Sequence, residues 1–176
     1  MYSEDDYYEW ITEGENLLEP YACMTIAMLN VCRQCSFVRP KKQSDLVEAY
    51  VLLFQLAGTN SNGFAADSAA GYAIQKYAKA ICNIDIKYTF KRNPSVSYFT
   101  RAVDNNYSSI LGLVGKGNVG HAVSVNGYIK YKNKNTGAIK TYLQVADGWY
   151  SRTRCILYDS INAESTSGTV IQYATR

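Results

Sequence analysis

Three side chains that lie far apart along this sequence could together carry out nucleophilic catalysis. Cys23 opens an apolar run that predicts a buried helix, and the N–H groups and positive dipole end of a helix N-terminus stabilise a thiolate. His121 follows a glycine-rich loop at the start of a predicted strand, and Asp147 ends the next strand. If these strands pair as a hairpin, His121 and Asp147 become neighbours at one sheet edge. The set predicts a thiol nucleophile, an imidazole base and an orienting acid.

Each of these residues also has an ordinary structural interpretation. A cysteine in an apolar helix is most often a small buried hydrophobe, and an Asp before Gly is usually a turn residue. A lone histidine is often structural. Catalysis is favoured because all three residues have a suitable placement at once, with the thiol at a helix N-terminus and the imidazole and the acid at paired strand ends. Since His121 is the only histidine among the 176 residues, any mechanism that needs an imidazole must use it.

Two other motifs are weaker candidates for chemistry. Residues 115–120 match G-x-G-x-x-G, but a strand-like sequence follows where a dinucleotide site needs a helix. Cys32 and Cys35 have C-x-x-C spacing, yet a zinc site needs two further ligands, and Cys82 and Cys155 are isolated. Redox C-x-x-C motifs usually open a helix, whereas this one follows a helix. We expect a loop between strands and structural thiols, respectively.

Composition narrows the function classes further. The chain has 18 basic and 15 acidic residues, a formal net charge of +3, without the basic stripe typical of nucleic-acid binders. One histidine excludes multi-histidine zinc or iron sites, and no motif predicts a cofactor. No apolar stretch approaches the roughly 20 residues that span a bilayer, and the acidic N-terminus does not resemble a secretory signal. We expect no metal, cofactor, nucleic acid or membrane span, and a monomer by default.

The elements that must position these residues change from helical to strand-like along the chain. Apolar spacing predicts helices over 21–31, from Ser44 or Asp45 to Gly58, over 67–82, and from Ser95 onward. Alternation predicts strands over 84–90, 110–114, 122–131, 139–146, 154–158 and 169–173, with a hairpin loop at 133–137. Helices followed by an antiparallel sheet make an α+β protein. We expect one domain over 1–176, with a lead at 1–19, a mainly helical half at 20–108 and a sheet half at 109–176.

Three segments resemble the papain-like cysteine peptidases, and especially their compact bacterial branch of bacteriocin-leader-processing and staphopain-like enzymes. Cys23–Leu29 resembles the helix that carries the nucleophile, and Gly120–Tyr128 closely resembles the Gly-His-Ala-Val-x-Val-x-Gly-Tyr block. Tyr142–Trp149 is similar to the strand that ends in Asp/Asn-x-Trp. The resemblance implies a papain-like fold in which a helical half carrying the nucleophile packs on an antiparallel sheet. It also implies a peptidase that uses the three residues named first.

The same resemblance implies how the site would be used. The substrate would be a peptide or protein, and the enzyme would act outside the cell or at its surface. Trp149 would shield the His–Asp pair, and the loop that ends at Gly120 would border the cleft.

One position departs from the family pattern. The family usually places a Gln about six residues before the nucleophile as a side-chain donor to the oxyanion, and here that position is Leu17. Asn16 or Glu19 would have to replace it, or the Cys23 N–H would act alone. A lost oxyanion donor typically costs about 10²–10³ in rate. Two alternatives therefore stay open: a catalytically impaired binding or adhesion module, and a thiol acyltransferase or amidase with the same triad.

Overall fold

The computed structural model describes residues 23–60, 65–115, 120–150 and 152–173 of the chain. Helices dominate the first part of these ranges and an antiparallel sheet the second, which confirms the predicted α+β class. The helices are α1 (Cys23–Gln34), α2 (Gln43–Leu56), α3 (Ala69–Cys82) and α4 (Val96–Asp104). Among the described helices, none has the length and apolar character needed to cross a membrane.

The strands form one antiparallel sheet with the order β1-β6-β2-β3-β4-β5. Their bounds are β1 (Lys87–Arg92), β2 (Ser108–Val114), β3 (Gly120–Lys132), β4 (Ile139–Ala146), β5 (Arg154–Leu157) and β6 (Ser165–Gln172), with a 3₁₀ turn at Tyr158–Ser160. The predicted β3–β4 hairpin is confirmed. Val125 pairs with Val145, so the start of β3 lies beside the end of β4.

The sheet separates two apolar clusters, because successive side chains of a strand point to opposite faces. Ile110 and Ala122 pack with buried residues of α1, α2 and α3 on one face. Their neighbours Leu111 and Val123 pack on the other face with Phe99 of α4, which is fully buried. The sheet is therefore covered by helices on both sides.

Helix α1 is the central helix, and nine of its twelve residues are buried. It packs on β3 and β2. At its C-terminal end the Gln34 side-chain amide donates a hydrogen bond to Asn126 Oδ1. Asn126 is the extra residue of a β-bulge between Val125 and Gly127. The bulge thus turns a side chain of β3 toward the end of α1.

The start of α2 differs from the expectation. The helix begins at Gln43, and Asp45 is not its cap: its Oδ2 accepts the backbone N–H groups of Lys41 at 2.8 Å and Lys42 at 3.3 Å. Asp45 thus fills the acidic position three residues inside the helix in a capping box. Glu48, three residues after Asp45, lies too far into the helix for that role.

Two strand boundaries also differ, since both depend on pairing rather than on apolar alternation. Strand β1 was expected over 84–90 but lies at Lys87–Arg92, where it pairs with β6 from Gln172 to Ser167. Strand β6 was expected over 169–173 but begins at Ser165. Its polar first half is a strand because all of it pairs with β2, and from Ser167 onward it also pairs with β1.

Candidate active site

Cys23 is the first residue of α1 and is partly buried. Its neighbours Met24, Thr25 and Ile26 are buried in the helix–sheet interface, which fixes the direction of the first turn. The predicted nucleophile therefore lies at the N-terminal end of the central helix. This is the end at which backbone N–H groups point outward and a thiolate is stabilised.

His121 is the second residue of β3 and lies opposite Leu113, near the end of β2. Its Nε2 lies 2.7 Å from the backbone oxygen of Asp147, directly after β4. The hairpin prediction that these two residues are neighbours is confirmed. Because a carbonyl oxygen only accepts, Nε2 carries the proton and Nδ1 holds the lone pair in the neutral ring.

The carboxylate of Asp147 makes a different set of contacts. Its Oδ1 accepts the backbone N–H of Trp149 at 3.1 Å and that of Tyr150 at 3.2 Å, closing a turn through Gly148, which has a φ of +81°. Its Oδ2 lies 4.0 Å from Arg154 Nε on the adjacent strand β5. In this structure Asp147 thus reaches the imidazole through its main chain, and its side chain holds the turn.

Trp149 covers the histidine ring. The two rings stack with centroids 4.1 Å apart and an angle of 16° between their planes, while 56% of Trp149 is exposed. The stack covers one face of the imidazole beside its hydrogen bond to Asp147. The expected shielding contact of Trp149 is therefore present at the ring itself.

The surroundings of His121 favour its neutral form. Burial lowers the pKa of His121, and the backbone hydrogen bond to Asp147 and the Asp147 charge partly oppose this by raising it. A neutral imidazole with Nε2 protonated is a base at Nδ1.

The arrangement can be compared with known proteins. No protein-family model and no curated protein matches this sequence. Among solved structures, the peptidase domain of Streptococcus ComA, a bi-functional ABC transporter involved in a quorum-sensing pathway, is similar with a TM-score of 0.52. It is 12% identical, and the match covers 88% of this chain and 93% of that one. The chain has the papain-like fold. The Pseudomonas avirulence protein AvrPphB is also similar, with a TM-score of 0.40, 10% identity and coverage of 86% and 91%.

The resemblance also implied roles for a residue at the cleft and for the oxyanion positions. Gly120 is the exposed first residue of β3, and its place beside a cleft stays a prediction. The loop before it lies outside the described residues at 116–119, and so do Asn16, Leu17 and Glu19. The oxyanion positions therefore remain predictions.

The C-x-x-C cysteines of this papain-like fold lie at the other end of α1. Cys32 and Cys35 are buried thiols rather than halves of a disulfide bond. Burial raises the pKa of both, most strongly for Cys32, and the Cys35 Sγ lies 3.5 Å from Ser108 Oγ. Within the described ranges, no group of three His, Cys, Asp or Glu side chains could hold a metal ion.

Two residues beside His121 and Asp147 were missed by sequence reasoning. Arg154 contacts the Asp147 carboxylate, and its guanidinium lies 4.7 Å from the centre of the Tyr150 ring. No spacing rule identifies them, because Arg154 meets Asp147 only through the pairing of β5 with β4.

Proposed function

We propose that this chain is a cysteine peptidase with Cys23 as nucleophile, His121 as acid–base and Asp147 as the residue that orients the imidazole. The observation that carries the proposal is the hydrogen bond from His121 Nε2 to the Asp147 carbonyl under the Trp149 ring. That bond leaves Nδ1 as the basic nitrogen of the only imidazole in the chain. A papain-like fold with this arrangement supports thiol chemistry on a peptide or protein substrate.

The anchoring of α1 supports the pairing of Cys23 with His121. The C-terminal end of the helix is tied to Asn126 of β3 by Gln34 and to Ser108, the first residue of β2, by Cys35. Helix α1 also packs on β2, and β2 extends from Ser108 only toward the His121 end of the sheet. The N-terminal end of α1 should therefore point toward that end of the sheet.

Element lengths support the same pairing. Eleven helical steps separate Cys23 from Gln34, a rise of about 16 Å. Five strand steps separate His121 from Asn126, also about 16 Å. Cys23, at the start of the helix, and His121, at the start of the strand, should therefore lie at the same level of the sheet.

The face of the sheet sets one requirement on this pairing. Ala122 packs in the cluster of α1, so alternation directs His121 to the opposite face, the face of Val123. The imidazole must therefore reach Cys23 around the end of the sheet. His121 is only the second residue of β3, close to that end of the sheet.

The reaction would begin when His121 Nδ1 takes the Cys23 proton and the thiolate attacks the scissile carbonyl carbon. The resulting oxyanion would be held by the Cys23 backbone N–H and by Asn16, with Glu19 the weaker substitute. The imidazolium then gives its proton to the leaving amine, and a thioester remains on Cys23. Water, deprotonated by His121, hydrolyses the thioester, releasing the acid and restoring the thiol.

The test is covalent labelling with a peptide electrophile that mimics an acylating substrate. We expect the wild type to label once, at Cys23, and to cleave a casein substrate. Cys23→Ala and His121→Gln should abolish both. The matched control is Cys155→Ser, which removes the exposed thiol and should change neither. Labelling that persists in Cys23→Ala, or that moves to Cys155, would overturn the assignment.

The Leu17 departure favours a second candidate, a binding module of the same fold that has lost turnover. This candidate predicts labelling of Cys23 without cleavage of any peptide mixture, together with retention of a peptide ligand. A thiol acyltransferase would instead label, and would transfer the acyl group to an added amine faster than to water. Product analysis with and without a primary amine separates the three outcomes.

A further inference from the structure

We propose that the group orienting the catalytic imidazole is the Asp147 peptide carbonyl, and that the Asp147 carboxylate and Arg154 are positioning residues that hold this carbonyl through a turn. The inference rests on the proposed function only where peptidase activity is measured. Its structural part concerns the tautomer of His121.

A peptide oxygen fixes which nitrogen of the His121 ring carries the proton. The acceptor that Nε2 meets at 2.7 Å is a peptide oxygen, which cannot donate and cannot lose its acceptor character by titration. The Nε2–H tautomer is therefore set by a neutral group. In a triad where a carboxylate bonds the ring, replacing that Asp with Asn costs about 10⁴-fold, because the amide donor imposes the wrong tautomer.

The Asp147 carboxylate holds the turn that follows it. Both N–H groups that it accepts, those of Trp149 and Tyr150, belong to the turn that begins at Asp147. This turn aims the Asp147 carbonyl at His121 and lays the Trp149 ring on the imidazole. An Asn at 147 can accept the same two N–H groups through its Oδ1, whereas an Ala cannot.

The neighbouring strand β5 brings Arg154 to this turn. Arg154 lies opposite Val145 in the β4–β5 pairing, with Nε 4.0 Å from Asp147 Oδ2 and its guanidinium over Tyr150. Arg154 thus contacts both ends of the turn. Arg152 also lies near Tyr150, at 5.8 Å from the ring centre, and makes no described ion pair with Asp147, so it is a matched control.

The experiment uses full-length protein labelled with ¹⁵N-histidine, in which one imidazole gives all the signals. We expect the wild type and Asp147→Asn to show the same Nε2–H tautomer. Asp147→Ala should show averaged tautomers and a loss of casein cleavage of about 10²-fold, because the imidazole is no longer held in position. Arg154→Gln should shift the tautomer ratio in the same direction by a smaller amount, whereas Arg152→Gln should leave it unchanged.

Two results would overturn the inference. If Asp147→Asn scrambles the tautomer as Asp147→Ala does, the carboxylate itself faces the ring. If Arg154→Gln and Arg152→Gln give the same spectrum as wild type, Arg154 has no positioning role. Should Asp147→Ala fail to fold, Asp147→Ser replaces it, because a serine is a partial acceptor for the turn. The tautomer ratio of Asp147→Ser should lie between the ratio shared by wild type and Asp147→Asn and the ratio of Arg154→Gln. If peptidase activity is absent while the tautomer pattern holds, the proposed function fails and this inference stands.

Discussion

The chemistry of His121 depends on what lies on each side of its ring. Asp147 supplies a peptide oxygen at Nε2, Trp149 covers one face, and burial disfavours the imidazolium. A thiolate at Cys23 would be the charge that reverses this preference, because an anion within a few ångströms favours the protonated ring. The protonation of His121 thus reports directly on its proposed partner.

Removing the thiol should reveal the effect of burial alone. In Cys23→Ala we expect the pKa of His121 to lie below its ordinary value of about 6.5, and below the pKa measured in the wild type. The folded variant then binds fewer protons than the unfolded chain, so it loses stability as the pH falls from about 6.5 through the folded pKa. An NMR titration of the single imidazole and melting curves at several pH values measure both effects. Equal titration curves for the variant and the wild type would contradict the pairing.

The Trp149 stack should control access of water to the Nε2 proton. In Trp149→Ala we expect faster solvent exchange of this proton, because one ring face loses its cover. Trp149→Phe keeps an aromatic ring there and should stay close to wild type. Exchange broadening of the Nε2–H signal gives the comparison, and equal broadening in wild type and Trp149→Ala would show that the stack does not protect it.

At this scale the sequence predicts which residues meet, but not by which atoms. The hairpin register brings Asp147 to His121, since both lie at strand ends that pairing joins. Whether a carboxylate or a carbonyl faces the ring depends on the turn after β4, and that turn depends on Arg154 from a strand eight residues later. The Asp-Gly pattern does indicate a turn at Asp147, and the carboxylate accepts the N–H groups of that turn. The pattern does not indicate that the turn directs the Asp147 carbonyl to the His121 ring, because that contact also requires the pairing of β3 with β4.

At the scale of elements, the best predictions come from segments with a one-sided apolar pattern. Strand β4 was predicted at 139–146 and lies there, and α3 ends at Cys82 as expected, with Asn83 in the left-handed region at its C-cap. Strand β6 could not be predicted at full length. Its residues 165–168 are Ser, Thr, Ser and Gly, which form a strand because all four pair with β2 and the last two also pair with β1.

The contact between α3 and β1 depends on a missing side chain. A Cβ at Gly71 would lie 2.2 Å from the Tyr88 ring, so Gly71→Ala should cost about 1–3 kcal/mol of unfolding free energy through overpacking. Tyr88→Ala removes the obstacle, and the double variant should be more stable than the sum of the two single effects predicts. Urea unfolding of the four proteins measures the coupling. Simple additivity would show that α3 and Tyr88 adjust independently.

On the scale of the whole molecule, charge is distributed unevenly along the chain. Residues 1–19 hold seven of the fifteen acidic side chains and none of the eighteen basic ones. Residues 20–176 therefore carry eighteen basic against eight acidic side chains, a formal charge of +10 in a chain whose total is +3. The near-neutral total conceals two parts of opposite sign.

Removing residues 1–19 should change how the protein binds an ion exchanger. We expect the 20–176 chain to elute from a cation exchanger at distinctly higher salt than the full chain, because its net positive charge is more than three times as large. Circular dichroism of both proteins checks that the fold is kept. Elution at the same salt from two folded proteins would contradict the expectation.

The hydrogen bond from His121 to a peptide oxygen has a consequence for how relatives of this chain could be recognised. Every amino acid supplies a backbone carbonyl, so the identity of residue 147 is constrained only by the turn that it must start. Asn, Ser or Thr would also begin such a turn. Homologues could then exchange the acid freely while keeping the imidazole in place. A signature that demands an acid or amide at this position would overlook some of them, whereas one built on the Gly-His block and the following Gly-Trp would retain them.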